Sequence, residues 1–205
     1  MLEQAYHDAL ARSGAEFLEA EQRLVQAGAG ADAGSVLRSR ADAETGVDGL
    51  VARALLARTD PDAAVSRALS DLHAMAADAA RTAMGAPSPL YVRGYLKKHF
   101  GAEAAPHLAA YVLKLWPVWP GWMTAGVAMY AGEEGGPQVG DALVALALSV
   151  ADPYQREVAA RALVRSGDAG VHEKLDAAVA RAPETLRDEV RAAAEDVRGR
   201  IDAQG

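Results

Sequence analysis

Almost every segment of this chain places its larger apolar residues three or four positions apart, and glycine or proline interrupts the pattern at short intervals. A period near 3.6 residues is that of an amphipathic helix, so the spacing predicts a succession of short helices. Leu2, Tyr6, Leu10, Phe17, Leu24 and Val25 share one stripe, with Gly14 either inside a long helix or dividing it in two. Gly28-Ala29-Gly30 is a break, and Asp32 to Arg40 reads as a short helix. Val47, Leu50, Val51, Ala54 and Leu55 mark the next, after Gly46.

Starts and stops agree with the stripes. Asp60-Pro61, Ser88-Pro89 and Asp152-Pro153 each pair an N-cap residue with a proline at the first helical position. There the side-chain oxygen accepts an orphan N–H, and proline lacks the N–H that would be unpaired. Val65, Ala68, Leu69 and Leu72 follow the first of these starts, and Gly85-Ala86-Pro87 ends a later helix. Val92, Leu96 and Phe100 follow the second, up to Gly101. Pro106 opens a helix that buries Leu108, Tyr111, Val112 and Leu115, and Trp122, Gly126, Val127 and Tyr130 form the next stripe. Gly132-Glu133-Glu134-Gly135-Gly136-Pro137 reads as a surface loop. Val139 to Val150 is apolar nearly all round, as in a helix buried on several sides. Gly167 is a natural left-handed stop, and Leu186, Val190, Ala194, Val197 and Ile201 make a last amphipathic helix. The short apolar runs lack the β-branched enrichment and hairpin turns of strands. The expected fold class is all-α, one helical domain over residues 1–205.

Pro61, Pro106 and Pro153 lie 45 and 47 residues apart, and each precedes a similar stripe. Helical repeats of the HEAT and armadillo type recur at about 40–47 residues. Residues 152–168 read Asp-Pro-Tyr-Gln-Arg-Glu-Val-Ala-Ala-Arg-Ala-Leu-Val-Arg-Ser-Gly-Asp, and this run resembles a HEAT-like repeat, in which A-R-x-A-L leads into a G-D turn. The resemblance covers about residues 152–182; the earlier units match in spacing more than in identity. It implies an α-solenoid of helical pairs, with a compact helical bundle as the alternative arrangement of the same helices.

Composition narrows the classes. With no cysteine there is no disulfide framework and no thiolate metal site, which fits a reducing, cytoplasmic compartment. Met1-Leu2-Glu3-Gln4 carries an early acid and no apolar core of a secretory signal. The longest uncharged apolar run, Ala142 to Ala151, falls short of the about 18 residues that span a bilayer, so no membrane partner is expected. A formal charge of −7 repels a phosphate backbone unless basic residues gather on one face, which argues against nucleic acid.

Two segments stand out as candidate sites. Trp116, Trp119 and Trp122, the only tryptophans, fall on a stretch that Pro117 and Pro120 keep out of regular helix. Such indoles either serve as interface anchors or fill space between helix layers where alanine is too small. Trp119, flanked by Val118 and Pro120, belongs to no stripe and is expected to be at least partly exposed. Trp122, sharing a stripe with Tyr130, is the better core candidate. The second segment holds Tyr91, Arg93, Tyr95, Lys97 and Lys98, which with Lys114 form the one basic island. Interleaved cations and aromatics suit phosphates or stacked bases, or else form the wet face of a helix whose Val92, Leu96 and Phe100 point inward.

Little speaks for catalysis. The five histidines show no i, i+4 pairing, and phosphate-loop, dinucleotide and nucleophile-elbow motifs are absent. Glu133-Glu134, on a glycine-flanked loop, would be poorly held for acid–base work. No metal or cofactor is expected. The expected function is a non-catalytic protein-interaction module or scaffold: an adaptor, or an immunity or inhibitor protein whose acidic surface meets a basic partner. The alternative implied by the HEAT-like resemblance is a DNA glycosylase of alkylated bases, using the tryptophans and the basic island.

Overall fold

A computed structural model describes residues 2–27, 33–60, 63–81 and 87–204. The apolar stripes become twelve α-helices, with three short 3-10 turns and no strand among the described residues. They are α1 (Leu2–Ala11), α2 (Gly14–Ala27), α3 (Ala33–Ala43), α4 (Gly46–Arg58), α5 (Ala64–Arg81), α6 (Pro89–His99), α7 (Ala105–Leu115), α8 (Gly121–Glu134), α9 (Gly140–Ser149), α10 (Pro153–Ser166), α11 (Val171–Arg181) and α12 (Arg187–Asp202). The protein is all-α, and no helix among the described residues is long and apolar enough to cross a membrane. The breaks expected at Gly28-Ala29-Gly30 and Gly85-Ala86, and the start at Pro61, lie outside the described residues.

Local chemistry sets the visible ends. Asp152 accepts a hydrogen bond from the Gln155 amide at 2.8 Å, and Ser88 accepts one from the Leu90 amide at 3.2 Å. Gly167 stops α10 at φ 65°, and Gly14 at φ 63° separates α1 from α2, so the first stripe is two helices.

Helix α7 is the centre. Residues on all its sides are buried, among them Leu108, Tyr111, Val112 and Leu115, and it packs against α2, α4, α5, α8 and α9. On one side α6, α8 and α10 pack in sequence, with α12 against α10; on the other, α7 packs on α9 and α9 on α11. The first layer is parallel. Gly126 of α8 faces Pro89 and Val92 of α6, and further along, Glu133 and Glu134 meet Arg93 and Lys97. Likewise Gly121 faces Gln155 of α10, and Gly132 faces Ala162.

The segment 132–137 corrects the loop expected there. Helix α8 runs on to Glu134, and Gly136–Val139 forms a 3-10 turn. Gly132 serves close packing: a Cβ there would lie 2.5 Å from the Ala162 carbonyl oxygen and 2.6 Å from its Cα. Glycine is unfavourable inside a helix by about 1 kcal/mol, and here the close approach of α10 offsets that cost.

Candidate functional site

The tryptophan turn folds back under α7. The amides of Val118 and Trp119 both donate to the Leu115 carbonyl, at 2.9 and 2.8 Å, extending the last turn of α7 past Pro117. This carries Trp119 inward, to 7% exposure. Its ring meets His73 edge-on at 5.2 Å and lies 6.1 Å from Tyr111. The expectation of an exposed Trp119 is therefore corrected: tertiary packing from α5 claims a residue that no local stripe did. Trp116 and Trp122 are half-buried against the core.

The basic island is largely spoken for. Arg93 Nε lies 3.4 Å from Glu133 Oε2, Lys97 Nζ lies 2.6 Å from Glu134 Oε1, and Arg165 of α10 reaches Glu133 Oε1 at 2.5 Å. The two glutamates sit on the last turn of α8, where a surface loop was expected; Glu133 pairs with both α6 and α10, and Glu134 with α6. Hydrogen bonding to Glu134 raises the Lys97 pKa. Tyr95 donates to Asp71 Oδ2 of α5 at 2.7 Å, which pushes its phenol up to about 12. Lys114 points away altogether, donating to the Leu10 carbonyl at 2.6 Å. Lys98 is exposed and has no acidic partner among the described residues, and Tyr91 stands 59% exposed.

An edge emerges from the parallel layer. Large exposed apolar side chains are few among the described residues, and Leu90, Tyr91, Val118 and Tyr154 lie at or just before the N-terminal ends of α6, α8 and α10. Because the three helices run the same way, those ends form one border. Half-buried Trp116 and Trp122 sit in the same turn and first helical residues. The structure thus brings Tyr91, Trp116 and Trp122 to one border and sends Trp119 into the core.

The sequence reading missed a second constellation. Glu21 of α2, with a side chain only 5% exposed, accepts from Arg58 Nε of α4 at 2.9 Å; Arg58 Nη1 donates to Ser70 Oγ of α5 at 2.9 Å. His73 Nε2 of α5 lies 3.9 Å from Glu21 Oε2 and is hydrogen-bonded with the Tyr111 hydroxyl of α7 at 3.0 Å. Burial lowers the His73 pKa, with Glu21 opposing and Arg58 reinforcing, and burial likewise holds Tyr111 well above the usual phenol range. A cavity of about 270 Å³ opens over Leu18, Glu21, Gln22, Val25, Arg58 and His73. One signal was present: Phe17, Ala20, Glu21 and Leu24 occupy a single stripe, so a carboxylate sits in a core position. Its partners are far away in sequence, and no local pattern names them.

No protein-family model matches the chain, and neither does any curated protein or solved structure. Among the described residues no group of three or more His, Asp and Glu side chains is placed to hold a metal ion. The border offers rigid aromatic and aliphatic contact area, and the Glu21 cluster offers paired polar groups in a recess.

Proposed function

We propose that this protein is a non-catalytic interaction module of HEAT-like, α-solenoid architecture that binds another protein along the border of α6, α8 and α10. The observation that carries the reading is the row of exposed Leu90, Tyr91, Val118 and Tyr154, with Trp116 and Trp122 beside them, on three successive parallel helices. Aromatic side chains on rigid elements are the commonest energetic anchors of interfaces, because they bring large area at small entropic cost. The stacking of α6, α8 and α10 in one layer and α7, α9 and α11 in another, joined by the packing of α7 on α8, α9 on α10 and α11 on α12, supports an arrangement of stacked helical pairs. Helices α10 and α11 cover the segment that resembles the repeat. A formal charge of −7 suits a basic partner, as for an adaptor or an inhibitor of a cationic enzyme or toxin. The glycosylase alternative needs Arg93 and Lys97 free for phosphates, and both are engaged by Glu133 and Glu134.

The test is comparative capture from the native host. Wild type, Tyr91→Ser/Tyr154→Ser and the control Val164→Ser, an exposed apolar residue near the opposite end of α10, are immobilised in parallel. A protein retained by wild type and control should be lost by the double variant, whose affinity should fall at least tenfold, or about 1.4 kcal/mol. Equal retention by all three, or no retained protein, refutes the border as an interface.

A further inference from the structure

The Glu21–Arg58 pair is unusual for what surrounds it. Removing two charges from water costs several kcal/mol per ion, offset only by good pairing and hydrogen bonding. Here Glu21, Arg58 and His73 form the wall of an open cavity of about 270 Å³, whose other lining is the aliphatic Leu18 and Val25 and the amide of Gln22. The wall is rigid from behind. Tyr111 holds His73 through its hydroxyl, Trp119 packs edge-on against the imidazole, and Phe17 packs edge-on against Tyr111. Arg58 spends Nε on Glu21 and Nη1 on Ser70, and among the described residues Nη2 has no partner.

We propose that this cavity is a binding site for a small, uncharged, planar ligand that carries a hydrogen-bond donor beside an acceptor, of the carboxamide class. The charge balance of the wall selects this chemistry. An anion would meet Glu21, and a cation would meet Arg58. A neutral group that accepts from Arg58 Nη2 and donates to the Glu21 carboxylate meets neither penalty. The volume is below the roughly 300–1,000 Å³ of drug-sized sites, so one ring and its amide fill the recess, with the ring against Leu18 and Val25. The cavity is built from α2, α4 and α5, apart from the border of α6, α8 and α10.

The probes are benzamide, with benzoate and benzylamine as the charged isosteres, followed by amide and imidazole NMR shifts of the intact protein. Benzamide should shift Leu18, Gln22, Val25 and the His73 imidazole together in a saturable way, and bind at least tenfold more tightly than either charged probe. Gln22→Trp, at an exposed position on the rim, should block binding with the melting temperature unchanged. Glu21→Gln tests the acceptor and should weaken benzamide at least tenfold; if that variant does not fold, the rim variant still decides. Absence of saturable benzamide shifts, equal binding of benzoate, or binding that survives Gln22→Trp would each overturn the proposal.

Discussion

Truncating Trp119 separates a core residue from a contact residue more cleanly than any other single change. An aromatic side chain of this size buries about 150–250 Å², which at about 25 cal/mol per Å² is about 4–6 kcal/mol; alanine keeps the Cβ share of that area, so Trp119→Ala forfeits roughly 3–5 kcal/mol, the range measured for large aromatic truncations. In a chain of this length each kcal/mol moves the melting temperature by about 2–4 °C, so a drop of roughly 6–20 °C is expected. The loss includes the edge contact that steadies His73, so the imidazole resonances should broaden or move as well. Trp116→Ala and Trp122→Ala, at half-buried sites, should cost less than half as much. Thermal melts followed by circular dichroism, with urea titrations at constant m to keep the comparison two-state, supply the numbers. A shift below about 2 °C for Trp119→Ala would mean that the indole is not part of the core and that the turn does not fold back under α7.

Three further outcomes follow from the same contacts. Burial lowers the pKa of both His73 and His107, so near and below the ordinary imidazole value of about 6.5 the unfolded chain binds protons that the folded chain refuses. Stability is therefore full above that value and lost as pH falls toward the folded values; the melting temperature should drop between about pH 7.5 and 5.5, less steeply in His73→Gln, and a flat profile would refute the burial. Gly132→Ala should destabilise by roughly 1–3 kcal/mol through overpacking against Ala162, although alanine is the better helix former by about 1 kcal/mol; a stabilised variant in a urea titration would contradict the close approach of α8 and α10. Glu133→Gln releases Arg93 and Arg165 from a shared carboxylate and leaves Lys97 with Glu134 alone, so the variant should elute from a heparin column at higher salt than wild type; unchanged elution would show that Glu133 does not mask the island.

The helices were legible because each stripe, cap and glycine stop is local. Asp152, Ser88 and Gly167 do what their positions in the sequence predict. Gly132 was misread because a glycine that permits contact with another helix looks, in one dimension, like a glycine that permits a turn. Trp119 was misread for a related reason: the residue that buries it, His73, lies on α5, and only packing reveals the pair. Of the basic island, Arg93 and Lys97 were found as cations but not as bound cations, since their acids sit on α8. Glu21 was the most readable omission. Its place between Ala20 and Leu24 on the buried stripe marks it, and only Arg58 and His73, on α4 and α5, explain it.

The position of α7 bears on how the chain reaches this structure during synthesis. Helices α2 and α4 rest on α7, and Lys114 closes a contact with Leu10 across 104 residues. While the ribosome is still making the segment before residue 105, Phe17 lacks the Tyr111 ring it packs against, and the faces of α2 and α4 that rest on α7 are uncovered. Early helices can form as hairpins, α1 with α2 and α3 with α4, but they remain adhesive until α7 emerges. A stacked array in which each unit touches only its neighbours can begin folding anywhere; here the N-terminal half waits for the middle. The nascent chain is thus exposed to aggregation for an interval set by translation speed, and slow codons before α7 would lengthen it.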